Sequence, residues 1–186
     1  MYSEFAPFSL KNNTLFSEEF DDLYSSAKGA VAECNHVFIK GNNLNERFEN
    51  LGENSKFYIG EIGFGIGINF LTTCKSWLDH TKQNQVLEFY SFDKYLFRLS
   101  DFKTLNVSCP DLKEYISELE RNYPRNIQGA QKISLFGGRI ILNLIIGEID
   151  NTQEYIKLME KVDAWYFDGF SPCLLYTSDA ADETCR

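Results

Sequence analysis

The sequence has two histidines and no pair of cysteines in a CxxC spacing. Its five cysteines, Cys34, Cys74, Cys109, Cys173 and Cys185, are scattered along the chain. A zinc site would have to draw its ligands from these distant positions, so no metal is expected. Free thiols in a reducing cytoplasm are the plainer reading. Basic residues are also scarce, with 18 Lys and Arg against 27 Asp and Glu and a net charge of −9. So acidic a chain does not hold a nucleic acid or a membrane through a general positive field, and only a local basic patch would serve a nucleic acid. No stretch approaches the ~20 apolar residues of a membrane helix. The first residues, MYSEFAPFSLKNN, have neither a basic start nor a long apolar run, so no signal peptide and a cytoplasmic location are expected.

What is present suits one ordinary globular domain. The chain has 186 residues, 44% apolar and 24% charged, with 16 Phe and 10 Tyr. That is enough to bury a substantial core. The character changes at CLLYTSDAADETCR, residues 173–186. This segment resembles the translation of a sequencing adapter read through in frame, and such scars are set aside before fold reasoning. The expected division is a partial domain over residues 1–172 and a non-native tail over 173–186.

Periodicity then places the elements. FSEEFDDLYSS reads as a short helix, and HVFIKGNNLNERF as a short strand followed by a loop or helix start. KFYIGEIG alternates poorly and is mainly apolar, as a buried parallel strand should be. INFLTTCKSWLDHT carries Phe70, Leu71, Cys74 and Leu78 at helical spacing. VLEFYSFDK is a second strand, and DLKEYISELERNYP a helix stopped by Pro124. GGRIILNLIIGEI is a third strand region, NTQEYIKLMEKV a helix, and VDAWYFDGFSP a last strand. Alternation of this kind predicts an α/β domain on a parallel sheet, with ligands beyond the carboxyl ends of its strands.

Those ends carry acids and glycines. In Tyr58–Phe70, YIGEIGFGIGINF, the glycines Gly63, Gly65 and Gly67 follow the first strand and precede a helix. Glu61 stands two residues before them. A carboxylate there would repel a pyrophosphate and suit a cationic, hydroxyl-rich ligand. S-adenosylmethionine is such a molecule. Asp93, at the next strand end, is placed to accept from ribose hydroxyls, and Glu148 ends the third strand region. Without those acids the glycine triplet would read equally well as a tight strand-to-helix turn with no ligand.

FDDLYSS, HVFIKGNNLNERF, IGEIGFGIGINFL, YSFDKYLFRLSDF, LNLIIGEI and VDAWYFDGFSP occur in that order. Together they resemble the methyltransferase domain of the MnmC family of bifunctional tRNA 5-methylaminomethyl-2-thiouridine biosynthesis proteins. The resemblance runs from Phe20 to Pro172. It implies a Rossmann-like, class I S-adenosylmethionine-dependent methyltransferase whose C-terminal strands are missing here, so the chain as written is expected to be inactive. The implied substrate is a tRNA whose wobble uridine 34 carries an aminomethyl group, and the implied reaction is N-methylation of that amine. FAD belongs only to a second, oxidoreductase domain that nothing in this sequence encodes. The family usually has Glu where this chain has Asp93, and Asp where it has Glu148, swaps that keep the carboxylate.

Methyl transfer to nitrogen is an in-line displacement, for which alignment is the main requirement. An alkylamine is largely protonated at neutral pH, with a pKa near the ~10.4 of lysine. Asp168, in the family motif, is expected to orient the amine first and to accept its proton second. Phe170 packs against a base, the cofactor or the core. Lys28, Lys40, Arg47, Arg121, Arg125 and Lys132 are candidate tRNA contacts or scattered surface charge. Two other readings remain open: a methyltransferase acting on a small molecule or a protein, and a binding module without catalysis. Activity on hypomodified tRNA separates the first, and cofactor affinity the second.

Overall fold

A computed structural model describes residues 8–11, 14–17, 22–23, 27–95, 98–124, 129–147 and 162–168. The N-terminal strands β1 (Phe8–Lys11), β2 (Thr14–Ser17) and β3 (Asp22–Leu23) form a small antiparallel sheet of their own. The helix expected over FSEEFDDLYSS is therefore not formed where that segment is described. Phe16 and Ser17 pair with Leu23 and Asp22, which satisfies the backbone across strands.

Helix α1 (Ala27–Cys34) runs directly into a π-helical segment, Asn35–Lys40, and α2 (Leu44–Glu49) follows a turn at Asn43, φ 52°. The strand expected at HVFIK is thus helical. Adjacent Phe38 and Ile39 are both buried, which a wide helical turn against the core allows and an alternating strand would not.

The main sheet is built on β4 (Lys56–Ile62), β5 (Val86–Asp93), β6 (Gly129–Leu135), β7 (Ile140–Ile146) and β8 (Ala164–Phe167), in the order β6-β7-β5-β4-β8. The pairs β4–β5, β5–β7 and β4–β8 are parallel, and β6 is antiparallel to β7. The order reverses at β4: the chain builds outward through β5 and β7 on one side, then returns to place β8 on the other. In open α/β sheets that reversal opens a crevice beyond the strand ends.

Helices α3 (Ile68–His80), α4 (Asp101–Ser108) and α5 (Lys113–Asn122), with short 3-10 turns at Pro110–Leu112 and Phe136–Gly138, complete the described elements. The core lies on one sheet face. Phe57 and Ile59 of β4, Leu87 and Phe89 of β5, Ile140 and Leu142 of β7, and Tyr166 of β8 meet Phe70, Leu71 and Trp77 of α3 there. Rings interlock: Phe38 stacks on Tyr166 at 4.5 Å, and Phe48 meets Trp77 edge-on at 4.9 Å. On the opposite face Gly60 leaves room for Trp165, whose ring lies 2.6 Å from where a Cβ would stand.

A candidate cofactor and methyl-transfer site

The turn Gly63–Gly67 holds three left-handed glycines, with φ of 93°, 52° and 77° at Gly63, Gly65 and Gly67. Side chains resist that region, which accounts for the spacing. Gly67 is also the N-cap of α3, and a Cβ on it would lie 2.9 Å from the Phe64 ring. The Gly63 amide donates to the Phe92 carbonyl at 2.8 Å, so the turn starts where the sheet ladder ends.

Asp93 closes this turn from the neighbouring strand. Its Oδ2 accepts from the Gly65 amide at 2.8 Å, and its Oδ1 from the Tyr95 amide at 3.1 Å. Its carbonyl accepts from the Gly147 amide at 2.9 Å. Burial raises the Asp93 pKa, against the pull of the amides around it. Asp93 thus ties together the ends of β4, β5 and β7, and Gly147 is the last described residue beside Glu148. Glu148 itself lies outside the described residues, as do Gly169, Phe170 and the segment 171–186.

Glu61 is wholly buried beneath the turn. Its Oε2 accepts from the Ser91 hydroxyl at 2.6 Å, whereas Oε1 has no hydrogen-bond partner among the described residues. Burial pushes its pKa up to about 8, opposed by Ser91 and Asn69 and reinforced by the charges of Asp168 and Asp93. Without a ligand Glu61 is therefore mostly protonated at pH 7, and its repulsion of an anion is weaker than the sequence implies. An orphaned carboxyl oxygen in such a place calls for a polar partner.

Asp168 follows β8 and stands at the rim. Its Oδ2 accepts from Asn69 Nδ2 at 2.6 Å. Burial of the carboxyl and the nearby Glu33 raise its pKa, and Asn69 lowers it. Asn69 belongs to the first turn of α3. Its own carbonyl accepts from the Thr73 hydroxyl at 2.7 Å and from the Cys34 thiol at 3.8 Å. Because Thr73 has spent its hydrogen on that carbonyl, the Tyr166 hydroxyl is the donor in its 3.0 Å bond to Thr73. Burial, with Glu61 and Asp168 nearby, raises the Cys34 pKa far enough to keep its thiol protonated.

The structure thus brings Glu61, Gly63, Gly65, Gly67, Asp93 and Asp168 to one end of the sheet. Sequence reasoning missed Asn69 and Ser91. Ser91 is a polar residue on the strand face that otherwise points Leu87 and Phe89 into the core, and that break in pattern was its only signal. Of the candidate tRNA contacts, Arg47 donates to the Asp163 carbonyl at 2.9 Å and lies over the Phe57 ring. Arg121 pairs with Glu118, and Lys132 stands 3.9 Å from Glu88. Lys40 is exposed. The side chains of Lys28 and Arg125 lie outside the described residues. Among the described residues no group of three or more His, Cys, Asp or Glu is arranged to hold a metal, and no helix is long and apolar enough to cross a membrane. Cys34, Cys74 and Cys109 are free and buried.

Comparison with known proteins identifies the family and the fold. Residues 110–177 match the family described as S-adenosyl-L-methionine-dependent methyltransferase. The tRNA 5-methylaminomethyl-2-thiouridine biosynthesis bifunctional protein MnmC of Marinobacter nauticus is 38% identical over 161 residues, covering 85% of this chain and 25% of that protein. The protein of the same name from Pseudomonas fluorescens is 38% identical over 173 residues, covering 91% of this chain and 26% of its own length. The chain therefore spans about a quarter of the length of these relatives. The crystal structure of MnmC2 from Aquifex aeolicus superposes with a TM-score of 0.60 at 21% identity, over 90% of this chain and 50% of that one. The fold is that of the Rossmann-like S-adenosylmethionine-dependent methyltransferases.

Proposed function

Since the chain is a homologue of the methyltransferase part of MnmC proteins, we propose that it belongs to an enzyme that N-methylates the aminomethyl group of 5-aminomethyl-2-thiouridine at tRNA position 34. The single observation that carries the cofactor half of this reading is the buried, unpartnered Oε1 of Glu61 under a left-handed glycine turn. When bound, S-adenosylmethionine supplies a methyl group already activated by a sulfonium. Glu61 would meet its ammonium, directly or through an ordered water. Asp93, at the end of β5 beside the glycine turn, would accept from the ribose hydroxyls. Gly63, Gly65 and Gly67 let the backbone approach closely, and Glu148 would complete the acidic lining.

Asp168 is the catalytic residue of this reading. Its carboxylate orients the substrate amine, and a carboxylate so placed also favours the ammonium form. Its raised pKa moderates that effect and makes it a better proton acceptor than an exposed aspartate. Among the described residues no Lys or Arg contributes to the shift of Asp168, which suits two cationic partners. With a tRNA as substrate, the enzyme would work in the cytoplasm. FAD would serve only an oxidoreductase part of the kind the bifunctional name implies, and residues 1–172 would form the methyltransferase part. Transfer of labelled methyl from S-adenosylmethionine to hypomodified tRNA by the full-length gene product tests the reading.

A further inference from the structure

Resting on that reading, we propose that Asn69 is a positioning residue for methyl transfer: its side-chain amide holds Asp168 against α3, beside Glu61, and so fixes the amine acceptor relative to the cofactor.

The geometry begins with two matching periods. Tyr166 and Asp168 lie two apart on and just after β8, so they share one face. Asn69 and Thr73 lie four apart on α3, so they share one helix face. The pairs meet rung to rung, Asp168 on Asn69 at 2.6 Å and Tyr166 on Thr73 at 3.0 Å. The strand that presents Asp168 is thereby mounted at two points on the helix that starts at the glycine turn. Asn69 is nearly buried, and its main chain is anchored by Thr73 and Cys34. It has little freedom to release Asp168.

The chemistry of the residue type also fits. Glu33 on α1, Glu61 on β4 and the Cys34 thiol face Asp168 from the elements packed around it. Acids at neighbouring strand ends repel when both are ionised, as on binding a cationic ligand, and a donor beside them offsets that repulsion. A lysine would supply hydrogens but cancel the negative charge that cationic partners require. An aspartate would add another acid. An asparagine amide donates without charge. Nothing in the function of the glycine turn alone requires this residue.

The test uses ligand-free full-length gene product and two nucleosides: S-adenosylhomocysteine, and an analogue with an amine in place of the S-methyl. The analogue puts a cation where Asp168 should meet it. Wild type should prefer the analogue. Asn69→Ala should lose that preference by about tenfold, the scale of one hydrogen bond to a charged group, while its affinity for S-adenosylhomocysteine changes little. In a double-mutant cycle, Asn69→Ala on an Asp168→Asn background should add nothing. Asn69→Gln keeps an uncharged amide donor and guards against misfolding of the alanine variant, so it should retain more of the preference for the analogue than Asn69→Ala. A wild-type preference in Asn69→Ala, or a fully additive cycle, overturns the proposal alone. Failure of wild type to bind either nucleoside overturns the cofactor reading, and this inference with it.

Discussion

Asp93 and Gly65 are joined across two strands: the Asp93 carboxylate accepts the Gly65 amide at 2.8 Å and holds the glycine turn against the end of β5. One side chain thus shapes the turn and, in the proposed site, would also meet a ribose. Asp93→Ala should weaken S-adenosylmethionine binding by roughly 1–3 kcal/mol, the scale of hydrogen bonds to a charged group. It should also lower the melting temperature, because the amides of Gly65 and Tyr95 lose their acceptor. Calorimetry with unchanged affinity would remove Asp93 from the site.

In the proposed site, Glu61 should make cofactor binding depend on pH. Its pKa is about 8 in the ligand-free protein. A cationic ligand favours the carboxylate, so binding below pH 8 should release a proton, and affinity should rise from pH 6 to 8 and then level. Stability of the ligand-free protein should move the other way. The folded pKa lies above the unfolded one, so this contribution is fully present below the ordinary carboxyl range and is lost as pH rises through about 8. Glu61→Gln should flatten both profiles and bind the cofactor more weakly. Calorimetry in two buffers of different ionisation enthalpy reports the released proton. Equal heats in both would contradict the assignment.

Gly67→Ala should damage both fold and site. Its φ of 77° is unfavourable for alanine, and the new methyl would press on the Phe64 ring. A loss of about 1–3 kcal/mol is expected in denaturant unfolding, with weaker cofactor binding. A stability within experimental error of wild type would show that the turn is free to relax.

Much of this was legible in the sequence, for physical reasons that differ by element. Strands β4 and β5 are apolar runs ending in Gly or Asp, and α3 repeats its apolar residues at helical spacing, so pattern and structure agree. HVFIK misled because β-branched and aromatic residues favour strands locally, while packing of Phe38 on Tyr166 decides the outcome. Strand β6 was not read, because only Ile133 and Leu135 face the core and the rest of that edge strand is polar or small. Glu61, Asp93 and Asp168 were visible as acids at strand ends. Asn69 and Ser91 were not, since their importance lies in partners 99 and 30 residues away in sequence.

The central claim is methyl transfer to the wobble uridine, with Asp168 as the acceptor that aligns the amine. The most direct measurement is a single-turnover assay of the full-length gene product with labelled S-adenosylmethionine and tRNA carrying 5-aminomethyl-2-thiouridine 34, followed by nucleoside analysis. The account predicts label in 5-methylaminomethyl-2-thiouridine. It predicts a rate about a hundredfold or more lower for Asp168→Ala at saturating cofactor, as misplacement of a reacting group entails. Cofactor binding without label on this nucleoside, or a wild-type rate from Asp168→Ala, would contradict it.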